Sequence, residues 1–158
     1  MGWCGTHWRH GATEVLSGFF GTFDHLLDEK GRVSLPKAFR RGDGGEPFVL
    51  LQWKAPAITL FPPDAWLTVQ ERLLEYRASG DDAWLEVMAL AGQARDATPD
   101  KLWRILIPKA VQQQGSLEGP VRLVGNIDRI EIWNPAAHDE VMSGTTEKIR
   151  QFANKIFG

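Results

Sequence analysis

Short runs in which apolar and polar positions alternate with a period of two recur along the chain, the pattern of half-buried β-strands. Arg32 to Leu35 and Arg104 to Ile107 are two such runs. Each ends at a proline, which cannot donate to a sheet ladder but can open a short helix. Pro47 to Trp53 and Pro120 to Val124 predict a second strand after each. Ala57 to Phe61 and Arg129 to Trp133 predict a third, set off by turn-like segments at Lys54 to Pro56 and Asn126 to Asp128. Elsewhere the period lengthens. Asp64, following Pro62-Pro63, is the expected N-cap of a helix with Trp66, Val69, Leu73 and Tyr76 on one face. Ser79-Gly80-Asp81-Asp82 breaks it, and a second short helix, with Trp84, Val87, Met88 and Ala91 on one face, runs to Gly92. Asn134-Pro135 reads as an N-cap with proline at the first helical position, opening a helix through about Met142. After Ser143-Gly144, Ile149, Phe152 and Ile156 predict an amphipathic tail.

The β-rich runs form an internal repeat. At an offset of 72, Asp28 to Asp64 lies on Asp100 to Ala136 with ten identities in 37 positions. Asp28, Arg32, Pro36, Lys37 and Ala38 meet Asp100, Arg104, Pro108, Lys109 and Ala110, and the match continues ungapped through Glu46/Glu118, Val49/Val121, Leu51/Leu123, Ile58/Ile130 and Pro63/Pro135. A module this short, with only short strands, buries little apolar surface alone. The two copies are therefore expected to pair about a pseudo-twofold axis into one β core in an α+β protein, with helical aromatic faces sealing it. The expected organisation is an N-terminal extension at 1–19, repeat 1 at 22–66, a helical connector at 67–93, repeat 2 at 94–137 and a C-terminal helical tail at 138–158.

Composition narrows the class. The chain has 158 residues, 43% hydrophobic and 24% charged, which is ordinary for a globular domain. Its one cysteine excludes an internal disulfide framework. No apolar run nears the roughly 18 residues of a membrane span, and His7, Arg9, His10 and Glu14 interrupt any signal-peptide core. A cytoplasmic protein with no membrane partner is expected. The net charge of −2 carries no basic signature, but it is unevenly spread: 28–41 carries +3, 100–114 carries +2, and the remainder −7. Basic charge concentrated in the repeated motif is what a phosphate-facing surface requires.

FFGTFDHLLDEKGRVSLPKAFR and VRLVGNIDRIEIWNP resemble the start and the second-repeat signature of the MraZ transcriptional regulators, whose two SpoVT/AbrB-type repeats each carry a D-x-x-G-R-[IV]-x-[IV]-P motif. The resemblance covers about Phe20 to Asp139. It implies AbrB-like swapped-hairpin β repeats, ring-like homo-oligomers, and sequence-specific binding to repeated operator boxes in double-stranded DNA upstream of the division and cell-wall gene cluster, with nucleoid association. Carried over, Asp28 with Arg32 and Asp100 with Arg104 match the motif implicated in DNA contact, and Arg40-Arg41 match the basic pair after the proline. An arginine can contact phosphate or guanine bidentately while the aspartate four residues earlier positions it. Lys30, Lys37 and Lys109 suit simple phosphate attraction. A fold-stabilising salt bridge accounts for the same Asp/Arg spacing, and the two roles are compatible.

The second copy departs from the motif. Trp103 stands where the first copy has Gly31, so a turn needing positive φ would be strained there, and Gln112-Gln113 replace the arginine pair. The first repeat is therefore expected to dominate affinity. Cys4, His7 and His10 stand at a C-x2-H-x2-H spacing without an evident fourth ligand, so no metal or other cofactor is expected. GDGGE (Gly42 to Glu46) lacks the Lys-Ser/Thr of a P-loop and there is no G-x-S-x-G elbow, so no enzyme is expected. The competing reading is an AbrB-type antitoxin or protein-interaction module, against which stand two full repeats and no long disordered tail after Asn134.

Overall fold

The structure is a computed structural model that describes residues 18–158. Repeat 1 supplies β1 (Thr22–Leu26), β2 (Arg32–Ser34), a 3-10 turn (Lys37–Phe39), β3 (Phe48–Leu51) and β4 (Ile58–Phe61). Helices α1 (Pro63–Arg77) and α2 (Asp81–Ala91) follow. Repeat 2 supplies β5 (Arg95–Ala97), β6 (Arg104–Leu106), α3 (Lys109–Gly115), β7 (Pro120–Asn126) and β8 (Arg129–Trp133), and the described chain ends with α4 (Pro135–Met142) and α5 (Thr146–Phe157). The architecture is α+β, as the alternation of periods indicates. Among the described residues no helix is long and apolar enough to cross a membrane.

The strands form an antiparallel six-stranded sheet in the order β1-β7-β8-β4-β3-β5 and a two-stranded ribbon of β2 and β6. The order is unchanged when the repeats are exchanged, and each repeat lends a strand to the other: β1 pairs with β7 and β3 with β5. Two pairs of residues 72 apart face each other directly, Val33 with Ile105 in the ribbon and Thr59 with Glu131 in the sheet. The pseudo-twofold axis runs through both.

The repeat is not ungapped. Val49 faces Phe61, whereas Arg122 faces Trp133. Phe61 and Trp133 are equivalent, so Val49 corresponds to Arg122, one residue beyond the offset of 72. Pro47 then matches Pro120, Phe48 matches Val121 and Leu50 matches Leu123. Burial agrees: Phe48, Leu50, Val121 and Leu123 are buried, Val49 and Arg122 half-buried. The identities at Val49/Val121 and Leu51/Leu123 are coincidental, because a one-residue slip in a strand exchanges its two faces. Repeat 2 has the extra residue between Ile107 and Pro120, where α3 replaces the 3-10 turn, and loses it again before β8.

One face of the sheet packs on the ribbon. Val33, Leu35, Phe39, Leu50, Ile58, Leu60, Ile105, Ile107, Leu123, Ile130 and Ile132 form a single core to which both repeats contribute. Phe19, the last residue of the expected extension, belongs to this core; it is 1% exposed and bonded to the backbone of Ile127. On the other face Leu51 and Phe61 pack against Ala65 and Val69 of α1. There Arg122, half-buried, ties β7 to Asp24 of β1 at 2.7 Å and to Asp139 of α4 at 2.6 Å.

Two local expectations need correction or refinement. Helix α1 begins at Pro63 with Pro62 as its cap, and Asp64 lies inside the first turn with no capping bond, since Pro63 already fits the first helical position. On α2 the buried positions are Ala83 and Val87, while Trp84 and Met88 are 52% and 51% exposed. Ala83 and Val87 turn inward in a helix that packs beside α1, and the bulkier side chains turn outward. Among the described tryptophans, Trp66 and Trp103 pack half-buried against the two cores, Trp133 is half-buried, and Trp53 and Trp84 are exposed. Asn134, by contrast, caps α4 as the sequence indicates, its side-chain oxygen accepting from Ala137 N–H at 3.1 Å.

The corrected register makes Leu50 and Leu123 equivalent buried positions on the two sides of the axis. Leu50→Ala and Leu123→Ala should each destabilise the fold by about 2–5 kcal/mol, and Val49→Ala by clearly less, as measured by urea unfolding.

Candidate nucleic-acid interface

Strands β2 and β6 lie side by side because each is too short to stand alone and each carries one buried branched residue, Val33 or Ile105, at its centre. Period-two alternation then sends Arg32, Ser34, Arg104 and Leu106 to the outer face. In the pairing Arg32 stands opposite Leu106, and Ser34 opposite Arg104. The two motif arginines thus share one surface, related by the pseudo-twofold axis. The ribbon is extended at both ends by Leu35 N–H donating to Trp103 O and Ile107 N–H donating to Gly31 O, each at 2.8 Å.

Each motif aspartate builds the turn that precedes its arginine. Asp28 Oδ1 accepts from the backbone N–H groups of Lys30 and Arg32 at 2.9 and 2.8 Å, and its Oδ2 accepts from Arg32 Nε at 2.9 Å. Asp100 does the same for Leu102 N–H, Arg104 N–H and Arg104 Nε, at 2.9, 2.9 and 2.8 Å. Backbone donation from Arg32 or Arg104, with help from the guanidinium, holds both carboxyls below the ordinary 3.8. Only Nε of each arginine is engaged. The two terminal nitrogens of Arg32 and of Arg104 make no hydrogen bond among the described residues, and the two side chains are 30% and 29% exposed, so a bidentate donor pair is left without a protein partner on each.

The turn also needs a left-handed residue. Gly31 takes φ +84 and Trp103 takes φ +61, so the tryptophan adopts the conformation that the glycine supplies freely. The cost of about 1–2 kcal/mol for a side chain there is offset by contacts: Trp103 packs on the main core, against Gly44, and beneath the Arg40 guanidinium at 5.9 Å. Gly31 has no such space. A Cβ there would lie 2.4 Å from Gln112 Nε2 and 2.9 Å from Ile107 O.

Arg40 and Gln112, equivalent positions, do the same structural work. Arg40 Nε donates to Leu35 O at 3.0 Å, and Gln112 Nε2 donates to Ile107 O at 2.7 Å, each closing the carbonyl at its own strand end. The glutamine in place of an arginine therefore preserves the fold contact and removes the charge. Arg41 lies over the Phe19 ring at 3.9 Å. Lys30, Lys37 and Lys109, with Lys101, are exposed and make no ion pair among the described residues. Cys4, His7 and His10 lie outside the described residues, and no group of three or more potential metal ligands occurs among the described ones.

The sequence singles out the arginines but not Ser34 or Leu106, and it marks Gln112 only as a lost arginine. The alternation from Arg32 to Leu35 already implied that Ser34 and Leu106 face outward; nothing in the sequence tied Gln112 to Gly31. His25 was also missed: its Nδ1 lies 2.8 Å from Ser34 O, supporting the ribbon from β1. Charge follows the layers. The ribbon side carries the two basic segments, whereas 63–91, packed on the opposite face of the sheet, has six acids against two arginines.

The family described as "MraZ protein, putative antitoxin-like" matches residues 19–84. Over 138 residues, the chain is 36% identical to the transcriptional regulator MraZ of Lactiplantibacillus plantarum, covering 87% of this chain and 97% of that protein. The chain belongs to the MraZ family. The same protein of Oenococcus oeni is 30% identical over 138 residues, spanning 96% of its length, and that of Carboxydothermus hydrogenoformans is 28% identical over 138 residues. The match to these MraZ proteins covers more than one repeat, in keeping with a fold in which neither repeat is complete alone.

Two outcomes are expected. Gly31→Ala should destabilise the protein by more than about 1 kcal/mol, seen as a lowered thermal midpoint, because both the left-handed φ and the Ile107 carbonyl oppose a Cβ. The depressed carboxyls of Asp28 and Asp100 contribute stability above 3.8 that is lost as pH falls through their lowered folded values. The double variant Asp28→Asn/Asp100→Asn should therefore be less stable than the parent at pH 7, with the difference narrowing in denaturant titrations below pH 4.

Proposed function

We propose that this protein is a DNA-binding transcriptional regulator that grips double-stranded DNA with the outer face of the β2–β6 ribbon. The observation that carries this reading is the pair of arginines, Arg32 and Arg104, on one face, each held through Nε by its own aspartate and each with a free bidentate edge. Such an edge matches a phosphate or the O6/N7 pair of guanine, and a two-stranded ribbon fits the major groove. Lys30, Lys37 and Lys109 would add phosphate attraction, with Lys101 beside them. Arg40 and Arg41 combine a fold contact with a nearby positive charge, and Asp28 and Asp100 act as positioning residues.

A single ribbon offers few phosphate contacts. A homo-oligomer, on the family resemblance a ring, would present many ribbons to repeated operator boxes upstream of the division and cell-wall genes, and the gain would come from avidity. Nucleoid association in the cytoplasm, without a catalytic role, follows from that reading. Repeat 1 is the stronger contributor, because Gln112 and Gln113 leave repeat 2 with less charge.

The test is a gel shift at several salt concentrations on a duplex spanning the gene's own upstream region, with sizing of the free protein. Binding should weaken steeply with salt. Arg32→Ala should cost about tenfold or more, and Arg104→Ala should cost less. Equal losses would remove the asymmetry, and no binding at low salt would remove the DNA reading.

A further inference from the structure

We propose that Leu106 makes the ribbon a directional reader of DNA, its exposed side chain reading the C5-methyl group of a thymine beside the base contacted by a motif arginine. This rests on the DNA-binding reading above. The outward track of repeat 1 runs Arg32, Ser34; that of repeat 2 runs Arg104, Leu106. The first members are identical and the second members are not, so the pseudo-twofold axis relates a hydroxyl to an isobutyl group. The residues of the two turns differ in the same sense, Lys30 against Leu102.

Leu106 is 54% exposed and Leu102 is 65% exposed, both within the second of the two basic segments. Leu106 faces Arg32 across the ribbon and sits two residues from Arg104 on its own strand. An apolar group beside these two arginines is poorly placed to meet an apolar protein surface, since binding there would desolvate the guanidinium nitrogens that Asp28 and Asp100 leave without a partner. It is well placed against DNA, where the phosphates and guanine edges satisfy the arginines. Among the base edges of the major groove the thymine methyl is the apolar feature, and side chains of this kind recognise it. Ser34, able to donate or accept, would accept any of several edges at the symmetric position. Repeat 1, richer in charge, would thus supply affinity, and repeat 2 discrimination.

The experiment selects tight duplexes for the wild-type protein from a library with a randomised core. In the best duplex, each thymine is then replaced singly by deoxyuridine, which removes only the methyl group. At one or a few positions the wild type should lose about fourfold, the contribution of burying one methyl. Leu106→Ser should show that loss already with thymine present and be indifferent to deoxyuridine there. Ser34→Leu should acquire sensitivity at the symmetry-related position, which guards against a Leu106→Ser protein that folds poorly. The proposal is overturned if no thymine matters more to the wild type than to Leu106→Ser, or if Leu106→Ser changes the size of the free protein, which would make Leu106 a contact between copies. Failure of the wild type to bind any duplex at low salt overturns the DNA reading itself, and this proposal with it.

Discussion

Strand pairing between the repeats is the interaction on which everything else depends. Of the six strand ladders among the described residues, four join one repeat to the other: β1 to β7, β3 to β5, β4 to β8 and β2 to β6. Only the β3–β4 and β7–β8 hairpins are internal to a repeat. A repeat alone would leave Val33 or Ile105 without a partner strand and half of the core exposed, so neither copy is a folding unit. The ribbon that carries the two arginines exists only because the copies interlock. Its outer face is therefore set by the same pairing that makes the core, and loss of the core should remove the site as well.

Within that frame the aspartate turn is the second fixed element. One carboxylate satisfies two backbone donors and one guanidinium nitrogen, so the salt bridge and the turn are a single device. The fold-stabilising role and the positioning role of Asp28 and Asp100 are thus not alternatives: the bond that closes the turn also orients the arginine. The tolerance of Trp103 at positive φ shows how far contacts can compensate for backbone strain, since the loop of repeat 1 leaves room for an indole between Gly44 and Arg40. The mirror position has Gln112 pressed on Gly31 and no such room. Divergence of the two copies is thus confined to surroundings that allow it.

Charge is separated by the sheet. The basic motif segments and the acidic α1–α2 hairpin pack on opposite faces. A net charge near zero is then the sum of two unlike surfaces, and a polyanion approaching the ribbon meets the acidic hairpin only across both ribbon and sheet, layers about 10 Å apart, which is more than the Debye length of about 8 Å at physiological salt.

Much was legible in the sequence because it depends on near neighbours. Period-two runs gave six of the eight strands among the described residues, Pro36 and Pro108 marked the ends of two of them, and Asn134 started α4 through a bond made within one turn; β1 and β5, which pair only with the other repeat, carried no such mark. The D-x-x-x-R spacing contained the turn, since all of its hydrogen bonds lie within four residues. The register of β3 did not show, because identity at Val49/Val121 and Leu51/Leu123 outweighed a one-residue slip that only a partner strand can specify. The face of α2 showed only in part: Val87 is buried as expected, but Trp84 and Met88 fit the helical period beside it as well as Ala83 does, and only packing decides which of them turn inward. The same holds for Arg40 and Gln112, whose shared task is to close a carbonyl five residues back that only ribbon pairing leaves open. The sequence by itself determined which residues repeat, where strands stop and which arginine each aspartate holds. Tertiary structure alone decided that the two arginines share one face, because that depends on interlocking two copies across 72 residues, and no local pattern records which strand of one copy will pair with which strand of the other.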